Sequence, residues 1–382
     1  MARLFPVLVS AVWVFGLPAD VVPAAARAPA QLTFAGEGNN GAFDASIERD
    51  RATRTTWMSW SSVQLTPLGA TPIDLVSTRL ATSVDRGGTW VDRGLIVNAA
   101  QVEPSPPAAL AGRATAWQHE VSRLVYDAGA PLAERWKLLW HRYLVADGIA
   151  GPGDRRFEYG WIGLRAAPSP DALAMAAERK LFAAAGYHLT PDIRAYDDAV
   201  IGPPEVQLDQ LSPALADCMA FSEPGATATT RALYVSLLCA TADPSTGRII
   251  LLRWPYPGGP WQVLGVVLDA QDARNISPAY GGFSASDLFR RGAQIYLVAS
   301  PTRVADGSYD GCLVFRFAAV DEARLQDRDG DGRPDVRLAI SGNAGSFNGA
   351  CGYSQGSGRS GFIYSQFSPT APNFTLFASG RW

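Results

Sequence analysis

Apolar and polar positions alternate in short runs along most of the chain, and clusters of Gly, Pro, Asp and Ser separate the runs. A period of two, with Val, Ile, Leu, Tyr and Trp at the apolar positions, predicts strands rather than helices. The runs group into sets. The first set is 43–50, 55–62, 74–83 and 89–97, and the second is 117–127, 136–144, 157–167 and 173–182. The third is 215–222, 231–241, 248–254 and 261–268, and the fourth is 282–289, 293–300, 311–320 and 336–341. The last set has only 350–354, 361–367 and 374–379. One further strand, 31–36, stands alone ahead of the first set, with Leu32 and Phe34 alternating against Gln31, Thr33 and Ala35.

Four sets of four strands, one of three and one strand left over at the other end make a sum that closes. Four-stranded sheets repeated around a channel are the blades of a β-propeller. An N-terminal strand completing the last blade removes the unpaired edge that an open ring would carry. The reading is therefore an all-β, five-bladed β-propeller forming a single domain over 31–382, with 31–36 beside 374–379. Six blades are the alternative if 98–116 or 183–213 hides strands. Both stretches read as loops: Gly, Pro and Ala dominate the first, and Pro191, Pro203, Pro204 and Pro213 interrupt the second. A pair of β-sandwiches is more distant.

Composition narrows the class. Of 382 residues, 33 are Lys or Arg and 36 are Asp or Glu, a net charge of −3 that leaves no basic footprint for nucleic acid. Charged residues make up 18% and hydrophobic ones 47%, which excludes a disordered chain. Residues 1–30 read as a secretory signal peptide. Arg3 starts a positive segment, 4–17 is apolar but too short to span a bilayer, and Ala24, Ala25, Ala26, Ala28 and Ala30 offer small-residue cleavage positions. A secreted or periplasmic monomer without a membrane span is expected after its removal. In that compartment Cys218, Cys239, Cys312 and Cys351 suggest two disulfides. Three pairings are possible; Cys218–Cys239 and Cys312–Cys351 are preferred, the first across neighbouring strands of one hairpin.

Two short motifs carry resemblances. Ser83-Val84-Asp85-Arg86-Gly87-Gly88-Thr89-Trp90 resembles the Asp box of sialidase-type propellers, a turn motif remote from chemistry. Sialidases also need an arginine cluster for the substrate carboxylate, and none can be assigned. The second motif is an acid near the start of the innermost strand in three consecutive blades: Asp44 in Ala42-Phe43-Asp44, Glu120 in His119-Glu120-Val121 and Asp217 in Ala216-Asp217-Cys218. This resembles the five-bladed glycosidase propellers of the arabinanase, xylosidase and invertase type. The resemblance implies Asp44 as nucleophile or base, Glu120 as the orienting residue and Asp217 as the general acid, with Glu223 competing for the last role. In that family the second acid is usually Asp and the third Glu. The chemistry needs such a set: one carboxylic acid protonates the leaving oxygen, another carboxylate attacks or activates water, and a third raises the acid's pKa by repulsion. Trp117 and His119, beside Glu120, are expected at the mouth as contacts to a sugar, with Glu223.

Asp327-Arg328-Asp329-Gly330-Asp331-Gly332-Arg333-Pro334-Asp335 spaces oxygen ligands as a calcium loop does. Asp327, Asp329, Asp331 and Asp335 are the expected ligands of a structural Ca²⁺. Leu338 occupies the position where an EF-hand needs Glu, so the loop is of another kind. Gly352-Tyr353-Ser354-Gln355-Gly356 matches a nucleophile elbow, but no His follows it in the chain. Two functional readings stand: a glycoside-hydrolase-like propeller acting on or recognising carbohydrate at the channel mouth, and a non-catalytic exported propeller binding a glycan or protein. A sialidase ranks below both.

Overall fold

The computed structural model describes residues 30–34, 38–68, 71–97, 115–147, 155–184, 190–341, 347–354, 361–370 and 372–379. Five sheets follow one another along the chain. The first blade is Ala42–Arg49, Thr56–Leu68, Thr71–Ser83 and Val91–Val97. The second is Thr115–Tyr126, Trp136–Asp147, Arg155–Ala167 and Arg179–Ala183. The third is Cys218–Ala228, Ala232–Thr241, Arg248–Pro255 and Gln262–Leu268. The fourth is Tyr280–Arg291, Gln294–Arg303, Cys312–Ala319 and Val336–Ile340, with Arg324–Leu325 as an extra short strand. The fifth is Phe347–Tyr353, Phe362–Phe367 and Phe374–Ala378, completed by Ala30–Gln31.

Each innermost strand packs against the innermost strands of both neighbouring blades, and the fifth packs against the first. That cyclic order makes the molecule a five-bladed propeller. The core is accordingly divided into wedges between blades. Trp57 and Leu80 meet Trp117, Trp140 and Trp161 between the first two blades, and Leu139 and Ile162 meet Phe221 and Leu237 between the next two. Each strand turns one set of alternate residues to each wedge, and where both wedges are dry both sets are apolar, as in the consecutive buried Ile249, Ile250, Leu251 and Leu252.

Ring closure follows the expectation. Ala30 and Gln31 pair antiparallel with Ala378 and Phe377, and Leu32 N donates to Leu376 O at 2.8 Å. Phe34 meets Trp60 edge to face at 4.7 Å. Deleting residues 30–34 removes this pairing and the packing of Leu32 and Phe34. We expect the melting temperature to drop by about 5 °C or more; an unchanged melting curve would show that the strand is dispensable.

Both disulfides form as expected. Cys218–Cys239 ties the two inner strands of the third blade, with Cα atoms 5.3 Å apart, and Cys312–Cys351 joins the fourth blade to the fifth at 6.3 Å. The segment 183–213, expected to be loop, instead holds the helix Thr190–Ile201, the strand Val206–Gln207 and the turn of helix Leu208–Leu211. The longer helix is pinned from below: Lys180 Nζ lies 2.5 Å from Asp197 and 2.6 Å from Asp198. The stretch 98–114, most of the other expected loop, and the expected signal peptide up to residue 29 lie outside the described residues. Among the described residues no helix is long and apolar enough to cross a membrane.

Candidate active site

The channel is shaped by one device used five times. In every blade the pairing of the innermost strand with its neighbour slips by one residue. The slips fall between Phe43 and Ser46, Glu120 and Arg123, Ser222 and Gly225, Ser284 and Asp287, and Gly349 and Gly352. Each is a β-bulge, which bends the strand and re-aims a side chain. Each also holds one residue in the left-handed region: Asp44 (φ 53°), Val121 (50°), Glu223 (55°), Ala285 (45°) and Ala350 (51°). Such a conformation costs roughly 1–3 kcal/mol at a residue other than glycine. The serines of second strands hold several bulges in place: Asp44 N donates to Ser365 Oγ at 3.0 Å, Val121 N to Ser61 Oγ at 3.1 Å and Ala350 N to Ser300 Oγ at 2.9 Å. Each of these bonds crosses from one blade to the next.

The bulges define an equivalence between blades that strand ends do not. Asp44 and Glu223 occupy the same place in the first and third blades, and Glu120 stands one residue before that place in the second. These three carboxyls share the channel. Burial first, then the charges of Glu223 and Glu120, push Asp44 well above the ordinary carboxylate range, against Arg123. Burial and Glu223 push Glu120 up to about 8, while a hydrogen bond from Tyr143 opposes the rise. Burial pushes Glu223 up to about 7, again opposed by Arg123. Arg123 is itself buried, with Nε 3.1 Å from Asp287 Oδ1. Tyr309 completes the group; after burial, the field of Glu223 is the main influence raising its hydroxyl's pKa. Gly349 lets the Tyr309 ring approach, since a Cβ there would lie 2.5 Å from it.

A cleft of about 230 Å³ opens beside Glu120. Phe43, Gln118, Tyr143 and Phe374 line it, with the carboxyls of Glu120 and Asp74. After burial, the charge of Glu223 is the largest influence raising Asp44. Ionising one therefore disfavours ionising the other, and one protonated carboxyl beside one ionised carboxyl is the state that acid–base chemistry requires.

Three residues expected at the mouth lie elsewhere. Asp217 is not in the channel: its side chain is 61% exposed and gripped by Arg248 at 2.5 Å. It lies just ahead of the strand Cys218–Ala228 and six positions before Glu223, which is the third acid of the cluster. Trp117 is 1% exposed and packed under the Arg142 guanidinium, 4.1 Å from the ring centre. His119 is 4% exposed and accepts a hydrogen bond at Nδ1 from Trp140 Nε1, 3.1 Å away. Successive strand residues point to opposite faces, so Gln118 and Glu120 reach the cleft while Trp117 and His119 turn into the core. Tyr143, Tyr309, Arg123 and Asp287 were missed by the sequence reading.

The turn over Ser83–Trp90 lies between the last two strands of the first blade. Asp85 accepts from Thr89 N at 2.8 Å, from Thr89 Oγ1 at 2.9 Å and from Ser83 Oγ at 2.7 Å. Those bonds, the Thr89 amide first, hold its carboxyl down at about 2. Gly87 takes φ 84°, and Trp90 is buried beneath the turn.

In the fourth blade, Asp327, Asp329 and Asp331 each bring a carboxylate oxygen within 4.8 Å of the others. Gly330 and Gly332 turn at positive φ, and their amides bond to Asp327 at 2.8 and 2.9 Å. Asp335, expected as a fourth ligand, instead pairs with Arg328 at 2.8 Å.

No protein-family model and no curated protein matches the chain. Several solved structures are similar in fold. An endo-arabinase from Bacteroides thetaiotaomicron is 11% identical, with 89% of this chain and 96% of that one covered and a TM-score of 0.46. A family 117 glycoside hydrolase from the marine bacterium Zobellia galactanivorans is 13% identical over 92% and 90%, with a TM-score of 0.48. An arabinanase from Bacillus subtilis is 13% identical over 88% and 95%, with a TM-score of 0.42.

Proposed function

We propose that the channel mouth is a glycoside-hydrolase-like centre acting on a neutral carbohydrate, with Glu223 as general acid, its pKa raised by burial, Asp44 as base or nucleophile, and Glu120 as the residue that orients them. One observation carries this reading: three carboxyls from three consecutive innermost strands meet in a desolvated channel, where Asp44 feels the charges of both others. Two of them stand on strained bulge positions. Like charges crowded out of water are unfavourable for stability, and such arrangements recur where a proton must be held near neutral pH. The cleft beside Glu120 favours a neutral sugar over a sialoside, because the charged groups lining it, Glu120 and Asp74, are acidic. The two disulfides support a secreted or periplasmic location.

The test is a panel of arabinosides, xylosides, fructosides and sialosides offered to the wild-type protein and to Asp44→Asn. Hydrolysis of a neutral glycoside that Asp44→Asn lacks is expected. Inactivity of the wild-type protein across the panel would leave the non-catalytic binding protein as the reading.

We propose a structural Ca²⁺ held by Asp327, Asp329 and Asp331, on the strength of their converging carboxylates. Hard cations take such oxygen sets. Saturating calcium should then raise the melting temperature by about 2–5 °C, reversibly with chelator, and Asp329→Asn should abolish the shift. No shift and no heat of binding would make the segment a polar turn.

A further inference from the structure

We propose that a groove on the rim, between the second and third blades and apart from the channel, binds a neutral saccharide. The groove measures about 570 Å³, within the range of small-molecule sites. Its two walls differ in chemistry. On the third blade, Trp254 and Trp261 stand half-buried with ring centres 5.8 Å apart and planes 25° from parallel. Phe182 meets Trp261 edge-on at 4.7 Å and fixes its orientation. The connection between them, Pro255-Tyr256-Pro257-Gly258-Gly259-Pro260, is rich in proline, which limits the freedom of that turn before any ligand arrives.

The opposite wall, on the second blade, sets the polar side chains of Arg179, Glu205, Gln207 and Gln210 among leucines and Val206, and the added segment 190–211 supplies part of it. Val206–Gln207 pairs in parallel with Arg179–Ala183. This brings Glu205 against Arg179 in a two-point pair, with Nε–Oε1 at 2.5 Å and Nη2–Oε2 at 2.8 Å. Gln207 and the exposed Gln210 complete the wall.

Apolar aromatic surface facing a row of planar donors and acceptors suits a sugar ring. Its C–H groups pack on indole, and its neighbouring hydroxyls span a guanidinium, carboxylate or amide. The charged residues lining the groove, Arg179 and Glu205, cancel each other. An anionic or cationic ligand therefore gains nothing that it does not lose.

The proposal is independent of turnover in the channel, and its test keeps the two apart. Glu223→Gln protein, which preserves the probe, is run through native gels containing soluble arabinan, arabinoxylan or levan. Retardation by at least one polysaccharide is expected. Arg179→Ala on that background should weaken retardation about tenfold, and Trp254→Ala at least as much. Arg179 is on the surface, so its variant keeps the fold even if Trp254→Ala does not. Turnover of a small glycoside by Arg179→Ala on the wild-type background should be unchanged. Retardation that survives Arg179→Ala undiminished would overturn the proposal, as would no retardation in any gel. Groove binding in a protein that fails the glycoside panel would uphold this site and refute the channel reading alone.

Discussion

Glu223→Gln is expected to cut hydrolysis of an unactivated glycoside by about 10²–10⁴-fold, while Asp217→Asn leaves it within about twofold. The two acids lie six residues apart but differ in every property that proton donation needs. Glu223 sits on the bulge of the third blade, in the position that Asp44 holds in the first. Its carboxyl, pushed up to about 7 by burial, keeps a proton near neutral pH. Asp217 is exposed, and its hydrogen bond to Arg248 holds it below the usual carboxylate range, so it has no proton to give. Leaving-group chemistry sharpens the comparison. A dinitrophenyl glycoside departs without protonation, so Glu223→Gln should recover much of its rate on that substrate. Asp44→Asn should not, because attack or water activation is still missing. If Asp217→Asn abolished turnover and Glu223→Gln did not, the equivalence of bulges would be the wrong guide to chemistry.

The same bulges explain what could and could not be read from the chain. Blade number, ring closure and the Cys218–Cys239 pair follow from period-two patterning and turn clusters, which are local and repeated; Cys312–Cys351, which joins two blades, is the pair that then remains. The third acid does not, because counting from strand ends ignores the extra residue in each inner strand. The left-handed positions carry Asp, Val, Glu and Ala, none of which announces a bulge as glycine does. One signal was present. Pro224 and Gly225 follow Glu223 within an inner strand, and proline inside a strand is confined to edges and bulges. A second rule was also available: Glu120 and His119 are adjacent on a strand, so only one of them reaches the channel. The helix Thr190–Ile201 opens with Thr-Pro-Asp, a start signal that the surrounding prolines obscured. Arg123 and Asp287 come from blades two and four and meet only when the ring closes, so no sequence spacing links them.

Crowding carboxyls in the channel has a measurable consequence: the protein should be most stable near pH 5 and lose roughly 5 °C or more of melting temperature by pH 8.5. Burial is the largest cause of each upward shift. Glu120 rises from 4.5 to about 8, Glu223 and Glu48 to about 7, Asp287 from 3.8 to about 6, and Asp44 moves the same way. Above pH 4 to 5 the unfolded chain has released these protons while the folded chain retains them, so stability falls as pH rises through the folded values. Buried histidines act in the opposite sense. Burial pushes His141 down to about 3 and His119 well below 6.5, so protonation of the unfolded chain costs stability at low pH. Between pH 5 and 6.5 the five carboxyls outweigh the two imidazoles. Above pH 6.5 the imidazoles are neutral in both states and the carboxyls act alone. Glu120→Gln removes one of the retained protons, so it should flatten the decline by up to about 1.4 kcal/mol per pH unit between pH 5 and 8. At pH 8 the variant should melt above the wild-type protein while turning over substrate more slowly. A melting temperature that holds or climbs from pH 5 to 8 would mean that the carboxyls ionise at no cost. The channel would then be hydrated, and Glu223 would have no means of keeping its proton.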